Sequence, residues 1–453
     1  MEHILLRDLD IPDIRNFDVY VANGGYEGLK KAVREHTPEE VIQIVLESNL
    51  RGRGGAGFPT GRKWSFIPKD APIKYVVVNA DESEPGTFKD RQILEKNPHQ
   101  LIEGAMIAAY AIQATAVYIY CRGEFWDLAH ALEEEIEAAR QANLVGDDVL
   151  GSGWNCPVYV HLGAGAYICG EESALLNSLQ GLLGQPRVRP PFPAQPGGGL
   201  YYAPTVVNNV ETLANVPWII LNGAAAYKAI GTPESSGVKI FCLSGHVARP
   251  GNYELPFGIT FRELIFEHGG GIPNGKKLKA ILPSGASGPV LPATGEVLDA
   301  PLTYESVAAL GSTLGSASFI LMDEDTDMVW AAAKMTHFFK HESCGKCTPC
   351  REGTYWLERI YRRLLRGEGT MRDLELLKSI PRNMQGGVTL CALGEFAANP
   401  VLSTVHHFYA EYEDYVRRAE ATREARQAAE QMHDYTLGEA GELPEAVGQG
   451  GVR

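Results

Sequence analysis

Val158-Tyr-Val-His-Leu-Gly-Ala-Gly-Ala-Tyr-Ile-Cys-Gly-Glu-Glu172 runs from a β-rich strand through a glycine turn into the acidic start of a helix. Strand, glycine turn and helix in that order form the repeating unit of a parallel α/β sheet. The same alternation surrounds the stretch. Tyr75–Val78 is a β-branched strand, residues 91–113 are helical with a break near Pro98, and Ala116–Tyr120 is a second strand. Phe125–Asn143 is an amphipathic helix, and Glu171–Leu183 follows the quoted turn as another. The reading is a three-layer α/β domain over residues 73–237. Residues 1–72 form a lead-in with one helix at Pro38 and a glycine-rich loop. Residues 238–325 change to a small α+β module, residues 326–410 read as helical, and the charged tail 411–453 is expected to end in disorder.

Four loops carry candidate ligand chemistry. Gly52-Arg-Gly-Gly-Ala-Gly-Phe-Pro-Thr-Gly-Arg-Lys-Trp64 contains G-x-G-x-x-G at Gly52, Gly54 and Gly57. It follows a helix, not the strand that a dinucleotide fingerprint demands. Its glycines, with Gly55 and Ala56, let backbone amides approach a ligand. Arg53, Arg62 and Lys63 add positive charge, while Phe58 and Phe66 offer flat surfaces. In the quoted turn, the end at Gly170 leads to Glu171 and Glu172 at a helix N-terminus, where amides would favour an anion. The two acids would repel a bare phosphate and accept from ribose hydroxyls or flavin N–H groups. They also suit plain helix capping.

The third loop, Asn79-Ala-Asp-Glu-Ser-Glu-Pro-Gly-Thr87, lies past the end of the first strand, where open α/β sheets bind ligands. Asn79, Asp81, Glu82 and Glu84 read as ring recognition there. The fourth is Val207-Asn-Asn-Val-Glu-Thr212, in which Asn208, Asn209 and Thr212 suit phosphate or ribitol contacts. Asn209 is also a fair N-cap for a helix.

Cys344, Cys347, Cys350 and Cys391 have the spacing C-x2-C-x2-C-x40-C. Three thiolates on one tight loop and a distant fourth are what a 4Fe–4S cluster requires. Zinc sites usually show two separated C-x2-C pairs, so zinc is the weaker reading. Cys121, Cys156, Cys169 and Cys242 sit singly in apolar or Gly-rich contexts and read as reduced core residues of a cytoplasmic protein.

The net charge of −15 argues against a nucleic-acid partner. Charges throughout Met1–Asp13 argue against a signal peptide. Ala105–Cys121 is uncharged but short for a bilayer span, so any membrane link should come through partners. No metalloprotease, nucleophile-elbow or P-loop motif is present in the sequence, and His246 and His341 read as structural.

Taken together, the loops resemble the NADH-binding flavoprotein subunits of respiratory complex I, the proton-pumping NADH:quinone oxidoreductase. Gly52–Trp64, Asn79–Thr87, Gly163–Leu175, Val207–Thr212, Ser244-Gly-His-Val247 and the cysteine spacing carry the resemblance, from about residue 15 to 410. It implies a Rossmann-like domain for FMN and NADH, then a ubiquitin-like β-grasp module, then an α-helical bundle with one 4Fe–4S cluster. It further implies that Gly54, Lys63, Asn79, Asp81, Glu171, Asn208, Asn209 and Thr212 hold FMN. Phe66 and Phe192 would sandwich the adenine, Glu84 would approach the nicotinamide, and Glu172 would accept from the adenosine ribose. Gly52, Arg53, Gly55, Ala56, Gly57, Phe58, Glu82, Gly170 and Val207 complete the implied cofactor set.

Hydride would pass directly from NADH to FMN, with no side chain as acid or base. The implied partners are a thioredoxin-like 2Fe–2S subunit and a large multi-cluster iron–sulfur subunit, on the cytoplasmic peripheral arm of a membrane complex. A diaphorase subunit of an NAD-linked hydrogenase or formate dehydrogenase is the alternative. A non-catalytic iron–sulfur relay is a third. The chain departs from the family pattern at Pro283-Ser-Gly-Ala-Ser287, in the 196–203 loop and at Gly394-Glu395, none of which is expected to touch an iron or flavin ligand.

Overall fold

The computed structural model describes residues 3–439 of the 453. Strands β1 (Tyr75–Ala80), β2 (Ala116–Cys121), β3 (Val158–Leu162) and β4 (Thr205–Asn209) form a sheet in the order β3-β2-β1-β4. Every pairing in it is parallel. The chain winds outward from β1 to β3, then crosses back to place β4 on the other side of β1. That reversal makes the carboxyl ends of β1 and β4 a switch point, the place where such sheets open a crevice for ligands.

The valines of β1 explain the layers. Val76, Val78 and Ala80 join the core formed with the N-terminal helices, whereas Val77 joins the core of the cysteine-bearing helices. Side chains alternate along a strand, so a sheet covered on both faces reads as an unbroken apolar run. One cover is the helix Pro98–Ile112, buried along nearly its whole length and capped by Asn97. The uncharged segment Ala105–Cys121 is divided between this helix and β2, and no helix among the described residues is long and apolar enough to cross a membrane.

The lead-in holds more helix than expected. Besides Pro38–Glu47, it forms Phe17–Ala22, Glu27–Glu35 and Thr60–Trp64. Glu27–Glu35 is mostly charged, but it buries Gly28, Leu29 and Ala32, and tertiary packing overrides its polarity. The helix after the quoted turn is shorter than expected. It spans Glu172–Leu179 and stops where Gly181 takes a left-handed φ of +74°.

The second sheet contains β5 (Val238–Gly245), β6 (Gly251–Pro256), β7 (Leu278–Ala286), β8 (Leu291–Pro292) and β9 (Ser318–Asp323), in the order β6-β5-β9-β7-β8. Its central pair β5·β9 is parallel and the others are antiparallel. From β6, the Glu254 carboxylate accepts hydrogen bonds from the backbone N–H groups of Ile4, Leu5 and Leu6 at 2.6–3.0 Å.

The helices Met328–Glu342, Thr348–Leu365, Met371–Arg382 and Leu393–His407 follow. The region expected as a charged tail begins as the helix Tyr409–Glu439, which docks by burying Tyr412 and Val416. The Tyr412 hydroxyl lies 3.0 Å from that of Tyr361. The expected disordered end, residues 440–453, lies outside the described residues.

Candidate functional site

The ends of β1 and β4 gather the four loops. Asn79 closes β1, and its Nδ2 donates to the Gly170 carbonyl at 2.8 Å, tying the strand to the quoted turn. Asn208 and Asn209 close β4. The Asn208 Oδ1 accepts from Trp64 Nε1 at 2.8 Å, and Asn209 caps the helix Val210–Ala214. Thr212 Oγ1 accepts from the Arg53 backbone N–H at 2.8 Å. Gly54 packs so closely that a Cβ there would lie 2.8 Å from Asn209 Cβ. Only glycine allows that approach. Gly52, Gly55, Ala56 and Gly57 complete this loop, and the Gly52 carbonyl accepts from Tyr304 Oη at 2.8 Å.

Asp81 is the informative carboxylate. Its Oδ1 accepts from Ser83, while Oδ2 is buried without a partner. Burial pushes the acid up to about 7. An orphaned buried acceptor costs roughly 1–3 kcal/mol, so a ligand N–H at Oδ2 would be held firmly. Gly170 lies beside it without contributing a side chain, since a Cβ there would sit 3.5 Å from that oxygen. The residues present therefore fit a flat heterocycle carrying N–H donors, as a flavin does.

The two acids of the quoted turn divide their work. Glu171 Oε2 accepts from the Ser173 and Ala174 amides, so it caps the helix and occupies N–H groups that a phosphate would need. Glu172 pairs with Lys63 at 2.9 Å and with Arg189 at 3.2 Å. Burial alone would raise Glu172, but the two cations hold it below the usual carboxylate range. Lys63 also donates to the Val207 carbonyl at 2.8 Å. Arg189 reaches Glu171 as well. It lies in the Pro-rich loop and was absent from the expected set. Phe58 and Phe66 stand 6.1 Å apart with half-exposed rings, and Phe192 lies 5.9 Å from the Arg189 guanidinium.

Two expectations need correction. The Arg53 side chain does not add charge to the loop. It is fully buried and its guanidinium donates to Val238, Arg51 and Ser236 carbonyls and to Tyr227 Oη. Glu82 does not face a ring. Its carboxylate accepts from the Asp90 and Arg91 amides at 2.7 and 2.9 Å, starting the helix Lys89–Lys96. The departure at Pro283–Ser287 lies beside Glu84, the residue expected at the nicotinamide end. The Ser287 N–H donates to Glu84 Oε1 at 2.9 Å, and a Cβ on Gly285 would lie 2.3 Å from the Pro85 carbonyl. Burial pushes Glu84 up to about 7, although the Tyr167 hydroxyl donates to it at 2.7 Å.

A buried ion network underlies the glycine loop. Lys89 meets Asp90 and Glu211 at 2.8 and 2.9 Å, and Lys239 from β5 meets Glu211 at 2.6 Å. Lys239 also donates to the Arg53 carbonyl at 3.1 Å. Burial pulls Lys239 down to about 8 against the attraction of Glu211. The sequence signal was a lone lysine inside the apolar run Val238-Lys-Ile-Phe-Cys-Leu243.

The cysteines converge elsewhere on the same turn. Cys344, Cys347, Cys350 and Cys391 line one pocket with Ile168, Pro186, Ser343, Lys346, Leu390 and Leu393. Cys121, Cys156, Cys169 and Cys242 are buried and unpaired. Four thiols in a largely apolar pocket are the donor set of a 4Fe–4S cluster. Ile168 belongs to the turn Tyr167–Gly170, whose last residue touches Asn79 and Asp81, so one turn walls both sites. His246 accepts from the Asp323 N–H at 3.0 Å, and His341 is exposed.

A nucleotide crevice at a sheet switch point, beside a four-thiol pocket, defines an oxidoreductase chain with a flavin and an iron–sulfur site. Comparison with known proteins narrows the class. Residues 45–218 match the Nuo51 FMN-binding domain, 240–291 the SLBB domain, and 330–415 the NADH-ubiquinone oxidoreductase-F iron-sulfur binding region. An F subunit of the NADH-quinone oxidoreductase of Rhizobium meliloti (strain 1021) is 52% identical over 412 residues, 91% of this chain and 97% of that protein. The corresponding F subunit of Streptomyces coelicolor (strain ATCC BAA-471 / A3(2) / M145) is 52% identical over 400 residues, 88% of each. An NAD+-reducing NiFe hydrogenase in the H2-reduced state superposes with a TM-score of 0.79 at 40% identity, covering 86% of this chain. The chain spans 64% of the length of that hydrogenase chain. This protein belongs to the family of NADH-quinone oxidoreductase F subunits and carries FMN and a 4Fe–4S cluster.

Proposed function

We propose that the chain is the electron-input subunit of an NADH:quinone oxidoreductase, an NADH dehydrogenase flavoprotein. The observation that carries this reading is the shared turn Tyr167–Gly170, which sets the cradle of Asn79 and Asp81 against the cysteine pocket. Bound FMN would supply the conversion between the electron pair that NADH gives as hydride and the single electrons that an iron–sulfur centre takes. The chain's own residues bind and orient. Asp81 offers Oδ2 to a ring N–H, while Gly54, Asn79, Asn208, Asn209 and Thr212 fix the remaining contacts of FMN. Phe66 and Phe192 flank the adenine, Glu84 borders the nicotinamide end, and Glu172 takes the ribose. Cys344, Cys347, Cys350 and Cys391 hold the cluster.

The proposed units are a lead-in to residue 72, a Rossmann-like domain to 237, a module to 325, a helical cluster domain to 410 and a tail. The strand order β6-β5-β9-β7-β8 supports a ubiquitin-like β-grasp for the module. Proposed partners are a thioredoxin-like 2Fe–2S subunit and a large multi-cluster iron–sulfur subunit, with the complex's peripheral arm on the cytoplasmic face. A second reading, the diaphorase subunit of an NAD-linked hydrogenase, is favoured by the likeness to the NAD+-reducing hydrogenase.

Anaerobic NADH titration of the cofactor-loaded chain tests the first step. Bleaching of the flavin band at one NADH per flavin is expected. A bound flavin that NADH leaves coloured would sink the reading. Quinone reduction by the assembled complex, rather than hydrogen-dependent NAD+ reduction, separates the two readings.

A further inference from the structure

The glycine loop is a hairpin whose tip, residues 53–57, stands on a closed neck. Arg51 and Pro59 face each other across an antiparallel bridge, and the Gly52 N–H donates to the Phe58 carbonyl at 2.9 Å. The tip itself is open, with Gly54 and Ala56 exposed. Glycine-rich backbone has many conformations to lose, so a ligand that needs one of them binds weakly unless other contacts select it beforehand.

The selecting contacts come from the short helix Tyr304–Ala309 of the α+β module. Arg51 Nε donates to the Gly57 carbonyl at 2.8 Å, and its guanidinium also pairs with Glu305, 254 positions downstream. The same guanidinium lies 4.2 Å from the centre of the Tyr304 ring, and the Tyr304 hydroxyl donates to the Gly52 carbonyl at 2.8 Å. Glu305 is fixed in turn by the Ser235 hydroxyl, which donates to its Oε2 at 2.8 Å. Gly57 fits closely into this corner, since a Cβ there would lie 3.1 Å from Tyr304 Cε1 and 3.2 Å from Arg51 Nη2. A carbonyl is therefore gripped at each end of the tip.

A gripped carbonyl aims the amide that follows it, because C=O and N–H point in opposite directions in a trans peptide. At Gly52 the carbonyl turns to Tyr304, and the next N–H, of Arg53, turns to Thr212. At Gly57 the carbonyl turns to Arg51, so the Phe58 N–H points away from Arg51, and the Phe58 ring stands 6.1 Å from that of Phe66. The Gly52 end has further fastenings in Thr212 and Lys239. At the Gly57 end, next to the aromatic wall, the grip is that of Arg51.

We propose that Arg51, held by Glu305 and Tyr304 of the module, is a positioning residue for the adenosine half of NADH, a role that rests on the nucleotide reading of the crevice given above. It presets the Gly57–Phe58 end of the loop and takes no part in the hydride step. Glu305 neutralises its charge, so Arg51 acts through the shape it imposes and not as a free cation for phosphates. The small module thereby sets how tightly the nucleotide is held, from outside the sheet that carries the site.

The test uses the flavin-loaded enzyme isolated from its host, assayed by NADH-driven ferricyanide reduction. Arg51→Met removes the bridge between Gly57 and Glu305. KM for NADH should rise about tenfold while kcat stays at the wild-type value. ADP-ribose, which carries the adenosine half without the nicotinamide, should inhibit about tenfold more weakly. Turnover with reduced nicotinamide mononucleotide, which lacks that half, should match wild type, as should flavin content and flavin midpoint potential. Arg51→Lys keeps the charge but cannot reach both groups in the same planar geometry, so it should behave as Arg51→Met. Arg262→Met, which removes an exposed ion pair with Asp299 on the same module, should change none of these values. An unmoved KM in Arg51→Met overturns the proposal, as do an equal loss with the mononucleotide, rescue by lysine, or the same change in Arg262→Met. If Arg51→Met loses its flavin, Glu305→Gln takes its place with the same outcomes. Wild type that does not oxidise NADH overturns the functional reading and this proposal with it, whereas wild-type turnover with unmoved variants overturns the proposal alone.

Discussion

The cysteine pocket draws three of its four thiols from residues 344–350, whereas the proposed flavin cradle draws on loops at residues 52–63, 79–84, 163–172 and 207–212. The pocket is a local device: a loop between two helices, completed by Cys391. The cradle is assembled by topology, from strand ends that meet only because β4 crosses back beside β1. Its glycine loop is fastened from still further away, by Lys239 of the second sheet and by the Tyr304 hydroxyl. A local site fails when its own residues change. An assembled one should also fail at a distance.

That contrast can be broken experimentally. The largest effect is expected from Cys391→Ser, which removes one of the four proposed cluster ligands. EPR should show the cluster signal lost while NADH-driven ferricyanide reduction at the flavin persists. Parallel loss of flavin would show that the two sites are not independent. Next is Lys239→Met, which leaves a buried network short of one cation. Denaturation should report a loss of roughly 3–5 kcal/mol, with weaker flavin retention and an unaltered cluster spectrum. Flavin affinity equal to wild type would remove the support for control from the second sheet.

A third test uses pH. Asp81 rises from an ordinary 3.8 to about 7 in the folded, flavin-free chain. The folded state then holds its proton more tightly than the unfolded state. Its contribution is complete below about pH 4 and is lost as pH climbs to 7, by roughly 3–4 kcal/mol. Asp81→Asn should flatten that part of the stability profile, and an identical slope would reassign it. The smallest effect is expected at Glu172. Glu172→Gln frees Lys63 and Arg189 to meet a 2′-phosphate, so the preference for NADH over NADPH should narrow by about tenfold, or ~1.4 kcal/mol. Steady-state rates with both cofactors measure this directly, and an unmoved ratio counts against the ribose role.

The same contrast governs how much the sequence discloses. The cysteine spacing, the strand at Val158–Leu162 and the Asn209 cap are legible because each is set by neighbours along the chain. β4 and β6 escape notice. Thr205–Asn209 is only five residues long and directly follows a Pro- and Gly-rich loop, and Gly251–Pro256 begins and ends on residues that normally mark turns. Arg53 reads as a ligand-facing cation because nothing nearby in sequence shows the carbonyls of residues 236 and 238 that consume its donors. Glu82 reads as ring recognition for the same reason, since its true partners are amides on the next helix. Partner groups distant in sequence decide whether a charged side chain is free for a ligand, and one chain read linearly does not display them.

The carboxylate of Glu254 grips the amides of Ile4, Leu5 and Leu6 across as many as 250 positions of sequence. During synthesis those three amides lack this acceptor until β6 has left the ribosome. At roughly 5–20 residues per second, the wait is on the order of 10–50 s. The parallel sheet is complete in sequence at Asn209, well before that moment, so its strands can pair while those amides still lack their acceptor. This fastening of the chain's beginning is therefore a late event in the life of the nascent chain, and a pause in translation beyond Glu254 would favour it.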